Sequence, residues 1–200
     1  MKRRNNNSRS RADFYARKAQ KENFPARSVY KLEEIQAKYR VIRPAARVLD
    51  LGCSPGSWLL YAAKIVGPKG MVVGVDLKEV NISLPVNVRA HVGDVTAVDD
   101  LLPVIGSRFD AVISDMAPAT TGRKDVDAAR SYNLCRAALD TAEATLAPGG
   151  SFVCKIFQGE DFTAFSDSVL VRFDARRIFK PQTCRKDSRE IYIIGLGRKK

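Results

Sequence analysis

Arg47-Val-Leu-Asp-Leu-Gly-Cys-Ser-Pro-Gly-Ser-Trp58 is the stretch that decides the fold of this chain. Residues 48–51 read as a short buried strand, followed by a turn holding two glycines and then a helix that opens near Trp58. Gly52 and Gly56 permit positive φ and close approach of the backbone, so a ligand can lie against the turn at the helix N-terminus. The spacing is Asp-x-Gly-x-x-x-Gly. It is not Gly-x-Gly-x-x-Gly, and no Gly-Lys-Ser/Thr follows, which disfavours a pyrophosphate cradle for NAD or ATP.

Beyond this turn, strands and helices alternate. The pattern predicts a helix over 58–65, strands at 71–76 and 88–92, a short helix near 99–105 and a strand at 109–115. A loop to about 127 follows, then a helix over 130–146 that stops at Pro148-Gly-Gly150. A strand at 151–156, a helix over 162–171 and strands at 175–179 and 190–195 complete the series. Apolar strands separated by helices imply an α/β protein with a mostly parallel seven-stranded sheet covered on both faces. The connection 180–189 is too short for a crossover helix, so the last strand is expected to run antiparallel. Upstream, Asp13 is a candidate N-cap of a short helix that Pro25 breaks. Ser28 is the candidate cap of a second, over 29–39, with Leu32, Ile35 and Tyr39 on one face. Residues 1–11 read as a basic flexible tail and 12–200 as one domain.

The composition, 45% hydrophobic over 200 residues, supports a full core. No apolar run approaches the ~18 residues of a membrane span, and no hydrophobic segment follows the basic start, so neither a membrane anchor nor a signal peptide is expected. Cys53, Cys135, Cys154 and Cys184 form no Cys-x-x-Cys pair and the chain has one His, so no metal site is expected and a cytoplasmic protein with reduced thiols fits. Net charge is +12, and its distribution is uneven. Residues 1–31 carry ten Lys/Arg against two acids, residues 172–200 ten against three, and the middle fourteen against seventeen. Two basic ends on a slightly acidic domain suit a polyanion, most simply RNA or DNA. A membrane surface suits less, because no basic amphipathic helix with a bulky apolar face is evident.

Ligands of an open parallel sheet bind beyond the carboxyl ends of its strands, and Asp50, Asp76, Asp94 and Asp115 mark those ends. Together with the glycine turn they resemble the S-adenosylmethionine (SAM) site of Rossmann-like class I methyltransferases. On that reading Asp76 accepts from ribose hydroxyls, Asp94 from an adenine amino group, and Asp115 lies near the sulfonium and the reacting group. The Asp115-Met-Ala-Pro118 run lacks the Pro-Pro-aromatic of amino-group methyltransferases. Cys154 inside an apolar strand and Cys53 in the turn read as packing residues, not as the nucleophile of a pyrimidine C5 enzyme.

Asp115-Met-Ala-Pro118, Ala26-Arg-Ser-Val-Tyr-Lys-Leu32, Lys155-Ile-Phe157 and Ser188-Arg-Glu190 closely resemble the FtsJ/RlmE family of ribosomal RNA 2′-O-ribose methyltransferases, from about residue 13 to the C-terminus. The resemblance implies a catalytic set of Lys31, Asp115, Lys155 and Glu190, and a cofactor set of Gly56, Trp58, Asp76, Asp94 and Asp115. It further implies SAM as cofactor and, as substrate, a uridine of the A loop of 23S ribosomal RNA in the large subunit; no obligate protein partner is evident in the sequence. The departures are Cys53-Ser54 in the turn and a slightly longer connection between Asp76 and Asp94.

The residues themselves point the same way. A lysine within Phe152-Val-Cys-Lys-Ile-Phe157 is expensive unless paired, and Asp115 and Glu190 are both expected to reach Lys155, with Lys31 coming over the sheet. Lys155 then serves as a general base if neutral or an orienting donor if charged. Lys180, Arg185, Lys186 and Arg189 are expected to rim the same end and contact an RNA backbone. Trp58 either shapes the cofactor pocket or is core, and His91 reads as structural. A transfer RNA 2′-O-methyltransferase with the same four residues, or a non-catalytic RNA-binding assembly factor, stand as alternatives.

Overall fold

In the computed structural model, which describes residues 6–185 and 187–200, the elements run α1 (Asn6–Lys21), α2 (Val29–Tyr39), β1 (Arg47–Leu51), α3 (Ser57–Val66), β2 (Met71–Asp76), β3 (Val88–Val92) and α4 (Val98–Ile105). They continue as β4 (Phe109–Ser114), α5 (Lys124–Thr145), β5 (Leu146–Phe157), α6 (Phe162–Arg172), β6 (Phe173–Phe179) and β7 (Glu190–Arg198). One sheet takes all seven strands in the order β3-β2-β1-β4-β5-β7-β6. β1 to β5 pair parallel, and β7 pairs antiparallel with both β5 and β6. The short 180–189 connection thus returns the chain between β5 and the edge strand β6.

Alternation along the strands splits the core into two layers. Val48, Ala111, Ile113 and Val153 face one side with Leu32 and Ile35 of α2 and Trp58, Leu59 and Ala62 of α3. Leu49, Leu51, Val112, Phe152 and Cys154 face the other with Leu101, Cys135, Leu139, Phe165 and Val169. A smaller cluster of Ala19, Phe24, Val29 and Tyr30 seats α1 on the start of α2. Among the described residues no helix is long and apolar enough to cross a membrane.

Local caps differ from expectation in two places. α1 begins at Asn6, so Asp13 lies inside the helix and does not cap it, and residues 6–11 belong to the helix; residues 1–5 of the expected tail lie outside the described residues. Ser28 sits in the αR region and its hydroxyl caps nothing; its carbonyl instead accepts from Lys31 N at 3.1 Å and Trp58 Nε1 at 2.9 Å. α5 starts six residues early because the Asp127 carboxylate collects Thr121 N, Thr121 Oγ1 and Gly122 N at 2.7, 2.9 and 3.2 Å, winding the loop into the first turn. β5 likewise runs through Pro148-Gly-Gly150, with Gly149 at φ +80° and a register shift against β4 between Phe109 and Ala111.

Candidate active site

The sheet register alone gathers three polar side chains. Ser114 pairs with Cys154, so Asp115 lies beside Lys155, and Lys155 pairs directly with Tyr192 across β5 and β7. Lys155 Nζ stands 3.0 Å from Asp115 Oδ1 and donates to the Asp115 carbonyl at 2.5 Å. The Tyr192 hydroxyl donates to the same Oδ1 at 2.5 Å. α2 places Lys31 above them, its Nζ 3.6 Å from Asp115 Oδ1 and 3.1 and 3.2 Å from the two Glu190 oxygens. Glu190 is two residues before Tyr192 and shares its face of β7. Lys31, Asp115, Lys155 and Glu190 therefore form one buried cluster. Glu190 reaches Lys31, however, and among the described residues it makes no ion pair with Lys155, contrary to expectation; at the start of β7 it lies under α2.

Electrostatics follow from this packing. Burial opposes the Asp115 carboxylate, but Lys155, Lys31 and the Tyr192 hydroxyl outweigh it and hold its pKa below the usual range. Burial likewise opposes the Lys31 ammonium, and Asp115 and Glu190 outweigh it, holding its pKa above the usual value. Burial and the neighbouring Asp115 push the Tyr192 phenol well up, so it remains a donor. Cys184 packs beside Lys31 and Glu190, and burial followed by Glu190 pushes its thiol up to about 12. Burial also raises the Cys53 and Cys154 thiols, in keeping with packing roles.

The glycine turn abuts this cluster. Gly52 has φ +79°, and a Cβ there would stand 2.4 Å from Met116 Cγ, so only glycine lets the turn lie against the Asp115-Met116 backbone. Gly56, at φ +108°, is roofed by the β2–β3 loop, where a Cβ would meet Ile82 Cδ1 at 2.5 Å. Asp76 accepts from Ser54 N at 3.0 Å and Lys78 N at 2.8 Å, which ties β2 to the turn. Asp94 spends Oδ1 on Thr96 N and Oγ1, at 2.8 and 2.7 Å, and these bonds lower its pKa. The Trp58 indole is 3% exposed, bonded to Ser28 and stacked on Tyr192 at 6.1 Å, so its ring props the cluster from within the core.

Two features of this turn suit SAM. The N-cap of α3 is Gly56, which has no side chain to bond the first backbone N–H groups, and such a helix start suits a carboxylate like that of the methionine moiety. At the end of β1, Asp50 is 1% exposed and among the described residues neither carboxyl oxygen has a partner; burial, then Asp115 and Asp76, raise its pKa well up. A ligand bearing positive charge relieves such a group. Asp76 closes β2 and Asp94 follows β3, beyond the carboxyl ends of the strands, where hydroxyl and amino donors of a nucleoside find acceptors.

Sequence reasoning passed over Tyr192 and left Asp50 without a role. The signal for Tyr192 was its place two residues beyond Glu190 in an alternating strand. The rim also differs from expectation. The Arg189 guanidinium is spent on the Lys124 and Gln158 carbonyls, and Lys180 Nζ on the Ser188 carbonyl at 2.7 Å. Arg185 is exposed, while Lys186 lies outside the described residues. His91 is a half-buried member of β3.

Residues 24–198 match the model of the FtsJ-like methyltransferase family. A protein named ribosomal RNA large subunit methyltransferase E from Desulforapulum autotrophicum is 60% identical over 189 residues, covering 94% of this chain and 93% of that one. A protein of the same name from Desulfosudis oleivorans is 51% identical over 200 residues, covering 100% and 97%. Among solved structures, a Plasmodium falciparum chain assigned as a ribosomal RNA methyltransferase superposes with a TM-score of 0.75 at 22% identity, over 88% of this chain and 98% of that one. Fibrillarin from Aeropyrum pernix, solved with natively bound SAM, gives 0.55 at 15% identity over 78% and 68%. These two likenesses bear on the fold.

Proposed function

The chain belongs to the FtsJ-like methyltransferase family, and from that premise we propose that it transfers a methyl group from SAM to a ribose 2′-hydroxyl of large-subunit ribosomal RNA. The observation that carries this reading is the buried Lys31–Asp115–Lys155–Glu190 cluster beside a glycine turn suited to SAM. The name shared by the relatives and the excess of Lys/Arg at both ends of the chain favour ribosomal RNA as the acceptor. A uridine of the A loop in the large subunit is the specific target we assign, and the cytoplasm the place of action.

SAM, when bound, supplies a methyl group already activated by its sulfonium. The chain's own task is to hold the acceptor and move one proton. Gly56, Trp58, Asp76, Asp94 and Asp115 are the residues assigned to holding the cofactor; of Trp58, the backbone serves and the buried ring supports Tyr192. Well-oriented reactants gain up to about 7–11 kcal/mol from positioning alone. Lys155 is assigned to the hydroxyl, as a general base if neutral and as an orienting donor if charged, with Asp115 3.0 Å from its Nζ. Lys155, Lys31 and Tyr192 keep Asp115 an anion, and Glu190 fixes Lys31. Proton transfer of this kind contributes typically about 10²–10⁴-fold.

Mapping 2′-O-methyl groups in ribosomal and transfer RNA from a strain lacking the gene tests the assignment. Loss of one mark in the A loop of 23S ribosomal RNA, restored by the wild-type gene and not by Lys155→Ala, is expected. Loss of a transfer RNA mark with the ribosomal pattern intact points to the other acceptor, and an unchanged pattern in both overturns the reading.

A further inference from the structure

The described residues of the 180–189 connection are held far more firmly than a surface loop requires. Pro181, Thr183 and Cys184 are buried, Cys184 N donates to the Pro181 carbonyl at 3.2 Å, and Ser188 N donates to the Arg185 carbonyl at 3.0 Å. Lys180 Nζ closes the base on the Ser188 carbonyl. The outside brace comes from α2. Glu34 Oε2 accepts from Gln182 N at 2.6 Å and Oε1 from Thr183 N at 2.9 Å, a fork spanning consecutive backbone amides across 148 and 149 residues of sequence. Arg27 Nη1 reaches the Thr183 carbonyl at 3.5 Å.

Glu34 is three residues after Lys31, so both project from neighbouring positions on one helix. The same turn of α2 thus grips Glu190 at one end of the connection through Lys31 and the 182–183 backbone at the other through Glu34. Between these grips Cys184 packs against the Lys31–Glu190 pair, and the next residue, Arg185, points a guanidinium to solvent. Adjacent Cα atoms are about 3.8 Å apart, so Arg185 lies within one side chain's reach of the cluster. A phosphate beside the target ribose is the group that an arginine there fits, by two parallel hydrogen bonds.

We propose that Glu34 is a positioning residue: by fixing the 182–183 backbone it presents the connection, with Arg185 at its tip, as a preformed cradle for the RNA backbone beside the catalytic cluster. The proposal rests on RNA being the substrate. Glu34 touches neither the cluster nor the cofactor turn, so it acts on RNA engagement and not on the chemical step. A carboxylate suits the task because both of its oxygens accept, whereas a glutamine would turn one N–H donor toward another.

The experiment uses the full chain with large ribosomal subunits lacking the methyl mark, labelled SAM, and the variants Glu34→Gln, Arg185→Ala and the pair. Glu34→Gln is expected to raise about tenfold the KM for these particles, with kcat within about twofold, unchanged SAM affinity, and a shallower salt dependence of RNA binding. Combined with Arg185→Ala, its effect should shrink to less than half, because the residue it positions is gone. Glu34→Asp, which keeps the charge, should recover part of the lost affinity even if Glu34→Gln folds poorly. Fully additive effects of Glu34→Gln and Arg185→Ala, or a fall in kcat at constant KM, would overturn the proposal, as would a lower melting temperature with KM unchanged. A wild-type protein that methylates no ribosomal RNA would instead refute the function on which the proposal rests.

Discussion

Replacing Lys155 with methionine removes the amino group at the centre of the cluster while leaving most of the side-chain volume in β5. Lys155 is 6% exposed and Asp115 is largely buried, and breaking such a pair from one side typically costs about 3–5 kcal/mol. Asp115 keeps Lys31 at 3.6 Å and the Tyr192 hydroxyl at 2.5 Å, so the loss of stability should sit at about 3 kcal/mol. The rate should suffer more, because the group assigned to the hydroxyl is gone: about 10²–10⁴-fold, or about 3–5 kcal/mol of barrier. Glu190→Gln is the informative contrast. Glu190 meets Lys31 and not Lys155, and Lys31 retains Asp115, so a loss of about tenfold is expected. Single-turnover transfer of labelled methyl at saturating SAM measures both, with calorimetric SAM affinity and melting curves showing that each variant is folded and loaded. A Lys155→Met enzyme no slower than Glu190→Gln would refute the central place given to Lys155.

Asp76→Ala should weaken SAM binding by about 1–3 kcal/mol and quicken amide exchange at Ser54, whose N–H it now holds at 3.0 Å; a folded variant with unchanged affinity by calorimetry removes Asp76 from the cofactor site. Asp50 has its pKa raised by burial, then by Asp115 and Asp76, so its contribution to stability is full below the unfolded value near 4 and erodes as pH rises toward the native one. Asp50→Asn should therefore gain on the wild type between about pH 4.5 and 7.5 in urea unfolding without SAM, and a gap independent of pH would contradict this. Asp115 works with the opposite sign: held below the usual range, its carboxylate stabilises fully above about pH 4 and less as pH falls through the native value. Asp115→Asn should accordingly show a flatter acid limb in the same measurement, and an unchanged limb would mean that the cluster does not govern acid stability.

The sheet was legible because its central strands carried apolar runs bounded by Gly, Pro or Asp, and the 180–189 connection was too short to cross over. The cluster was legible in part for a similar reason: a lysine amid Phe152-Val-Cys-Lys-Ile-Phe157 demands partners. Which partner serves which lysine was not legible. That choice depends on the β5–β7 register, which sets Lys155 against Tyr192, and on where α2 crosses, which gives Glu190 to Lys31. Arg189 looked like a free rim cation and is consumed by two carbonyls, those of Lys124 at the start of α5 and of Gln158 just past β5. The start of α5 was not legible, because Asp127 winds the turn ahead of the expected one; α2 starts at Val29 as expected, although Ser28 offers Trp58 its carbonyl and its hydroxyl caps nothing.

The most direct test of the central claim is the chemical position of the transferred methyl group. Large ribosomal particles from a strain lacking the mark are incubated with the purified protein and methyl-labelled SAM, and the recovered ribosomal RNA is hydrolysed in alkali. A 2′-O-methyl group blocks cleavage of the adjoining phosphodiester, so label is expected in alkali-resistant dinucleotides with wild type and almost none with Lys155→Met. Label appearing in mononucleotides would place the methyl on a base and contradict a ribose 2′-hydroxyl as the acceptor.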